Sequence, residues 1–467
     1  MSISPAEIAE AIGLTGYAVN GAGIGGMLKT RVADFRVEEE IKKISMDPKG
    51  RFTIAQITLT NWETNRFINR LAKTLKMSRD RIWFAGTKDK RAITKQLFVI
   101  DSKLQKVQNV EIPDAEIEIL GRTHQKLNFG SHRGNKFTIV LRGCANEDGT
   151  PMSEEDALAE VESIKVRMDE LIGKGRFPNW IGPQRFGANR PVTAAVGRCV
   201  IEGRWKDAVE TYISMEGLGE SEEAEKFRGF YREGGSPQDA LEICPRHLGY
   251  EGSMLKNLIN RPDDWVGAFK ALPRNLQLMT VHAIQSEAFN RYLHLRFQNN
   301  LPLHTPIIGD YVAPLDETNS LEIDRSIVVN ELTLPRVSRN CEKGRLAVTG
   351  FLPGANTVIA DGPSGELEKE ILKQMDLHDL DWQVEKIRRL TSKGNRRALL
   401  SHYSDFLIET VPKVVDESLS MRWQEGPQEG DRWHPEGACI RFRFLLPPGA
   451  YATTFIREFI RGPVHHL

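Results

Sequence analysis

Two hydrophobic rhythms divide this chain, and their order limits the architectures open to it. Near the N-terminus apolar residues recur at every second position, the spacing of a half-buried strand. In the middle they recur at three and four, the spacing of an amphipathic helix. Toward the C-terminus the two-residue rhythm returns. A strand-rich part, a helix-rich part and a second strand-rich part suggest a sheet domain with another unit inserted into it.

The individual elements follow from the same pattern. Asp34-Phe35-Arg36-Val37-Glu38 alternates as a strand, and Phe52, Ile54, Ile57 and Leu59 predict another with a shift of period in its middle. Ile82–Ala85, Leu97–Ile100, Ile117–Leu120 and Phe137–Leu141 also read as strands. A short helix is expected over 6–13. Thr64 is suited to cap a helix through Met77 with Phe67, Leu71 and Leu75 on its apolar face. A longer helix spans 154–172, with Leu158, Val161, Ile164, Met168 and Leu171 on one side. Strands so connected cannot all be parallel, so the first part is mixed α+β. From 175 to 400 helix dominates, most clearly over Met279–Phe297; strands are expected near Ala347–Gly350 within it and near Phe406–Glu409 after it. The chain closes with a strand over Ile440–Leu446, a Pro447-Pro448-Gly449 turn and a helix over Thr453–Arg461.

Bulk properties narrow the classes. The 467 residues, 40% of them hydrophobic, suit about two units of roughly 100–200 residues each. Lys+Arg and Asp+Glu are both 63, so any affinity for a polyanion must come from a local field. The cysteines number five, an odd count, with no pair at CxxC spacing. That argues against a disulfide framework and a zinc ribbon, and fits a reducing cytoplasm. Glu7 and Glu10 near the start do not suit a signal peptide, and no apolar run approaches the roughly 20 residues that cross a bilayer. A soluble, cytoplasmic protein is expected. Gly21-x-Gly23-x-x-Gly26 matches a dinucleotide fingerprint in form only, because Leu28–Glu40 reads as extended chain where a helix is required. His465-His466 reads as a frayed tail, and no metal-ligand spacing occurs elsewhere.

The most informative short stretch is Gly86-Thr87-Lys88-Asp89-Lys90-Arg91-Ala92-Ile93-Thr94-Lys95-Gln96. One carboxylate sits among three cations, and neighbouring cations favour the ionised form of a carboxylate. An ionised Asp can act as nucleophile or base without a metal, and the cations could hold phosphates. A solvated charged turn between two strands would show the same composition.

Gly86-x-Lys88-Asp89-Lys90-x-Ala92-x-Thr94-x-Gln96 resembles the signature of the TruD pseudouridine synthases, in which that Asp is the catalytic residue. Further strings agree in order. Leu28-Lys29, Asp34-Phe35 and Val37-x-Glu39 resemble the family's N-terminal strand, although Val32-Ala33 replaces the usual Pro-Glu. Gly134-Asn135-Lys136-Phe137 resembles its Gly-Asn-x-Phe. Pro178-Asn179-Trp180-Ile181-Gly182-Pro183-Gln184-Arg185-Phe186-Gly187 resembles a second box, with Ile181 at a usually aromatic position. Leu352-Pro353-Gly354, Arg396-Arg397-Ala398 and Leu446-Pro447-Pro448-Gly449-Ala450-Tyr451-Ala452-Thr453-Thr454-x-x-Arg457-Glu458 complete the set. Between these strings the central block is longer than in the bacterial version and closer to the archaeal form.

The resemblance implies a pseudouridine-synthase fold with a mixed, mainly antiparallel sheet over 1–174 and 403–467, and an inserted α-rich α/β TRUD domain over 175–402. It implies isomerisation of a uridine in tRNA, at position 13 in the family's best-known substrate, with no cofactor and no metal. Asp89 would be the catalytic carboxylate and Lys29 its basic partner. Phe137 would stack the uracil, and Asn135 would hydrogen-bond beside it. Lys88, Gln184, Arg185 and Arg457 would contact the RNA; Lys393 with Arg396 and Arg397 reads as either a phosphate patch or a basic helix cap, and an RNA substrate favours the patch. The expected partner is tRNA, with no membrane and no obligate protein partner, and the chain is read as a monomer. A tRNA-binding chaperone on the same scaffold is the rival reading. A nuclease is disfavoured for want of paired histidines or a metal-binding carboxylate set.

Overall fold

In the segment Phe35–Ile41, Phe35, Val37 and Glu39 are buried while Arg36, Glu38 and Glu40 are exposed. The period of two therefore carries a carboxylate, Glu39, onto the core face beside two apolar residues. This strand is one of nine in the main sheet of the computed structural model, which describes residues 4–41, 44–128, 130, 132–414 and 418–464. His465-His466 lies outside the described residues.

The first seven strands are β1 (Gly25–Met27), β2 (Phe35–Ile41), β3 (Phe52–Thr60), β4 (Ile82–Phe84), β5 (Ile93–Ile100), β6 (Ala115–Thr123) and β7 (His132–Cys144). Helix α1 (Pro5–Ala11) precedes them, α2 (Thr64–Thr74) and α3 (Leu104–Gln108) lie among them, and α4 (Glu154–Ile172) follows. The shift of period expected in β3 is real: its register against β6 slips between Ile54 and Ala55. β5 begins earlier, and β6 and β7 run longer at both ends, than their alternation suggested. Backbone pairing continues past the last well-placed apolar residue.

Three local expectations need correction. Glu63, not Thr64, caps α2, accepting the Asn65 and Arg66 amides at 2.9 Å each. The helix stops at Thr74 because Lys76 turns into the left-handed region at φ 53°. In α4, Val161, Ile164, Met168 and Ile172 form the buried stripe, while Leu171 is 49% exposed. At 100° per residue Ile172 continues the stripe and Leu171 swings off it.

After α4 the chain forms β8 (Arg176–Pro178) and then seven helices: α5 (Val192–Ile201), α6 (Trp205–Ser214), α7 (Glu222–Arg232), α8 (Pro237–Ile243), α9 (Gly249–Asn260), α10 (Trp265–Lys270) and α11 (Arg274–Gln298). A four-stranded sheet follows, ordered β10-β9-β11-β12 from β9 (Tyr311–Pro314), β10 (Ile327–Val328), β11 (Leu346–Leu352) and β12 (Asn395–Ala398). Helices α12 (Leu334–Glu342) and α13 (Gly362–Gln374) lie between its strands in sequence. Helix α11 packs against α5, α13 and β11. The next strand, β13 (Leu400–His402), pairs antiparallel with β8, Leu400 opposite Pro178 and His402 opposite Arg176. The chain thus returns beside the point where it left.

It then re-enters the main sheet through β14 (Ser404–Thr410) and, after α14 (Met421–Glu425), β15 (Ile440–Leu446), and closes with α15 (Ala452–Ile460). The main sheet runs β14-β15-β7-β2-β5-β3-β6, with β1 on β7 and β4 on β5. Only β2 and β5 are parallel among these pairs. The fold is α+β with a mixed, mainly antiparallel sheet. One apolar cluster runs from Ile8 and Leu14 through Val196 and Phe289 to Phe455 and Val464, beneath both the sheet and the helices. A smaller cluster lies between α2 and the β3/β5/β6 edge. No helix among the described residues is long and apolar enough to cross a membrane.

Candidate active site

The connection between β4 and β5 spans 85–92, and its shape is set from several sides. Helix α2 supplies Thr64, whose hydroxyl accepts the Lys88 amide at 3.0 Å, which is why Thr64 is not spent on capping. Gln96, on β5, donates from Nε2 to the Gly86 carbonyl at 2.7 Å in a buried position. Arg91 donates to the carbonyls of Lys29, at 2.8 Å, and Thr30, at 3.1 Å, so it fastens this turn to the loop ahead of β2. Its guanidinium is engaged with main chain.

These bonds bring Lys29 and Asp89 together across 60 residues of sequence, with Nζ to Oδ2 at 2.9 Å. The Lys29 ammonium also lies 4.5 Å from the centroid of the Phe35 ring, a cation–π contact that limits its freedom. Lys29 itself holds a left-handed backbone, φ 54°, a conformation costing a non-glycine residue of order 1 kcal/mol.

Asp89 lines a cavity of about 300 Å³. Phe35 and Phe137 form an apolar side, their rings edge to face at 6.2 Å, and Phe137 is backed by Phe444 in a stacked contact at 5.4 Å. Phe137 is at once strand core, 8% exposed, and cavity lining. Lys88, His132, Asn135 and Gln184 add polar groups, and Tyr451, Ala452 and Thr453 at the start of α15 complete the wall. Thr453 Oγ1 donates to Gln184 Oε1 at 3.3 Å, joining α15 to the second box. Gly134 permits the close approach of β7 and β15, since a Cβ there would stand 2.6 Å from the Leu446 carbonyl oxygen.

The expected residues therefore divide. Asp89, Phe137, Asn135, Lys88 and Gln184 line this cavity, and Lys29 is tied to it through its ion pair with Asp89. Lys88 does not present a free charge: its ammonium meets Glu39 Oε1 at 2.8 Å, both side chains being buried. Arg185 lines a neighbouring cavity. Arg457 does not reach either one. It is buried, donates to the carbonyls of Gly16 and Leu14 at 2.6 and 2.9 Å, and stacks over Tyr17 at 4.0 Å. Its helix face turns toward the N-terminal segment, so it anchors that segment. Of the basic trio near 395, Arg396 pairs with buried Glu368 and is likewise structural.

Two participants escaped the sequence reading. Glu39 was noted only as part of a string, although its place on the buried face of a strand is a signal that a cation must lie opposite. His132 lines the cavity, its Nε2 3.4 Å from Asn135 Nδ2. Burial, then the Lys88 charge, lower its pKa, which keeps it neutral at pH 7. His132 Nδ1 and Asn135 Oδ1 are buried and have no hydrogen-bond partner among the described residues. Such groups are costly unless a ligand satisfies them. A planar ring with polar edges fits a site that has an aromatic wall on one side and unsatisfied donors and acceptors on another. Among the described residues, no group of three or more His, Cys, Asp or Glu side chains is gathered to hold a metal.

Known proteins resemble the chain over nearly its whole length. The family described as tRNA pseudouridine synthase D (TruD) matches residues 11–459. A Methanosarcina mazei protein named "Probable tRNA pseudouridine synthase D" is 33% identical over 456 residues, covering 97% of this chain and 98% of its own. Proteins of the same name from Methanosarcina acetivorans and Halobacterium salinarum are 34% and 32% identical, each alignment covering 97% of both chains. The crystal structure of a Methanosarcina mazei protein named "Putative tRNA pseudouridine synthase D (TruD)" superposes with a TM-score of 0.78 at 31% identity, covering 100% of both chains. By sequence along its length and by fold, the chain belongs to the tRNA pseudouridine synthase D (TruD) family.

Proposed function

We propose that this protein isomerises a uridine in tRNA to pseudouridine, with Asp89 as the reacting carboxylate. The observation that carries the reading is Asp89, paired with Lys29 at 2.9 Å, lining a cavity walled by Phe35 and Phe137. The reaction breaks the C1′–N1 bond and forms a C1′–C5 bond. C5 loses a hydrogen and N1 gains one, so substrate and product are isomers and no redox or group-transfer partner enters the balance. What the protein must supply is an unstacked nucleotide, a fixed base plane and a carboxylate beside the sugar and base.

Each requirement has a residue suited to it. Phe137 offers its face to a flipped uracil and is too well packed to give way. Asn135 and neutral His132 have unsatisfied polar atoms for the edge of the base. Gln184, steadied by Thr453, closes the wall from the second box. The Lys88–Glu39 pair stiffens the floor under the turn. Lys29 orients Asp89 and balances its charge while the base departs and returns. Position 13 of tRNA is the target that the family resemblance suggests.

The reading includes two units. The pairing of β8 with β13 supports taking 175–402 as an insertion between 1–174 and 403–467, with the RNA held where the two meet. Action by a single chain in the cytoplasm, where tRNA resides, completes the proposal.

The test is Asp89→Asn, nearly isosteric and without the ionisable carboxylate. Pseudouridine in tRNA incubated with each protein is mapped by carbodiimide labelling. Modification by the wild type, with loss of at least about 10³-fold in rate for the variant and tRNA affinity retained, is expected. Full activity of Asp89→Asn sinks the assignment. A wild type that binds tRNA and leaves every uridine unchanged returns the decision to the chaperone reading.

A further inference from the structure

On the far side of the 449–451 turn from the Asp89 cavity lies a second cavity, of about 500 Å³. Four strings singled out in the sequence meet there. Leu352 comes from Leu-Pro-Gly, Arg397 from Arg-Arg-Ala, Arg185 from the second box and Tyr451 from the closing motif. The local build is specific. Gln285, on α11, donates from Nε2 to the Pro353 carbonyl at 2.6 Å and to Ser392 Oγ at 2.7 Å. Gly394, at φ 82°, passes against Gly354 just ahead of β12, where a Cβ on Gly354 would stand 2.0 Å from the Gly394 nitrogen.

The charges in this cavity are one-sided. Its lining contains Arg185, Arg397 and His282 and no Asp or Glu. Arg397 donates to the carbonyls of Asn179, at 3.2 Å, and Gly449, at 3.1 Å, and to the Asn179 side chain, all of them neutral acceptors. The Arg185 guanidinium has no hydrogen bond or ion pair among the described residues. Burial, and Arg185 beside it, push the Arg397 pKa down to about 10, and the same two causes lower that of His282. Two guanidinium groups lining one cavity that has no carboxylate leave their charges uncompensated in the free protein. An anion between them would accept charge-assisted bonds from both.

We propose that this second cavity binds a backbone phosphate of the RNA next to the flipped uridine, between Arg185 and Arg397. The inference rests on the proposed function for the identity of the polyanion. Its location favours a polymer over a free anion. Residues 449–451 form a wall common to both cavities, and the turn Pro183–Arg185 aims Gln184 into one and Arg185 into the other. A strand whose nucleotide enters the first cavity must carry its chain past that wall.

The experiment uses the full-length protein and a short RNA bearing the target uridine. Affinity is measured across a salt series for wild type, Arg185→Gln and Arg185→Lys. Losing one phosphate contact is expected to raise Kd several-fold at low salt and to reduce the slope of log K against log salt by about one, with Lys restoring the slope. Single phosphates flanking the uridine are then replaced by uncharged methylphosphonates. One position should weaken wild-type binding and leave Arg185→Gln unaffected. An unchanged slope with no coupled phosphate overturns the proposal, as does coupling of Arg185 to an abasic substitution instead. Isomerisation is scored in parallel with Asp89→Asn as the inactive control. If the wild type fails to isomerise while the phosphate coupling persists, the function fails and the anion site stands.

Discussion

Lys29 combines a left-handed backbone, an ion pair and a ring contact in one residue. A partly exposed pair, with side chains 20% and 40% accessible, stabilises a fold by at most about 1 kcal/mol. The strain it accompanies is of similar size, so the pair adds little net stability to the fold. Lys29→Met should therefore leave the melting temperature within a few degrees while lowering kcat by about 10²-fold or more, with KM little changed. Parallel calorimetry and single-turnover kinetics check this, and a variant that unfolds without losing rate per folded molecule would contradict it. His402 gives a second residue-level expectation. Burial, then the Arg176 charge, push its pKa down to about 4. The unfolded chain takes up that proton first, near pH 6.5. The stability due to neutral His402 is full above that pH, falls as pH drops, and is exhausted below about 4. At pH 5 the loss is roughly 1–2 kcal/mol. His402→Gln should flatten the pH dependence of urea stability by that amount between pH 7 and 5.

Strands and turns hold the site through a few buried polar links. The start of β2 is fixed to β7 by Asp34, whose two oxygens each accept from Arg142 at 2.7 Å with both side chains buried. Removing the carboxylate leaves a buried guanidinium uncompensated, which costs about 3–5 kcal/mol. Asp34→Ala should shift the urea midpoint accordingly at unchanged slope, and Asp34 would have only a surface role if the midpoint stayed put. This explains why Asp and Phe stand side by side at the entry to the strand: Asp34 pins the element and Phe35 lines the cavity. The sequence announced the string, and the alternation announced which side was buried. Neither announced that Arg142, 108 positions on, would be the partner.

At the scale of the molecule, one apolar cluster joins the helices of 192–298 to the sheet beneath α15. Trp180 sits at the join, fully buried, donating to Glu458 Oε1 at 3.0 Å and stacked on Phe297 at 6.1 Å. Glu458 also accepts the Ala18 amide at 2.8 Å, so one side chain holds the second box, α15 and the N-terminal segment. A shared core predicts shared melting. Differential scanning calorimetry should give one main transition, and Trp180→Ala, removing about 3–5 kcal/mol of packing, should move all of it. Two transitions, with only one displaced, would show that the halves fold independently.

The sequence alone determined the strand-rich ends, the helical middle, the long helix over 154–172 and the Asp89 string, because periodicity and motif are local properties of a chain. The contacts that make the string a site were decided only by tertiary structure. Lys29 meets Asp89, Lys88 meets Glu39, and Arg91 and Arg457 are taken up by distant carbonyls. A cation in a sequence is free to serve a phosphate or a carbonyl, and the choice depends on what folding brings within about 3 Å of it. That is why the carboxylate was legible from its neighbours in the chain, whereas the fate of each positive charge was not.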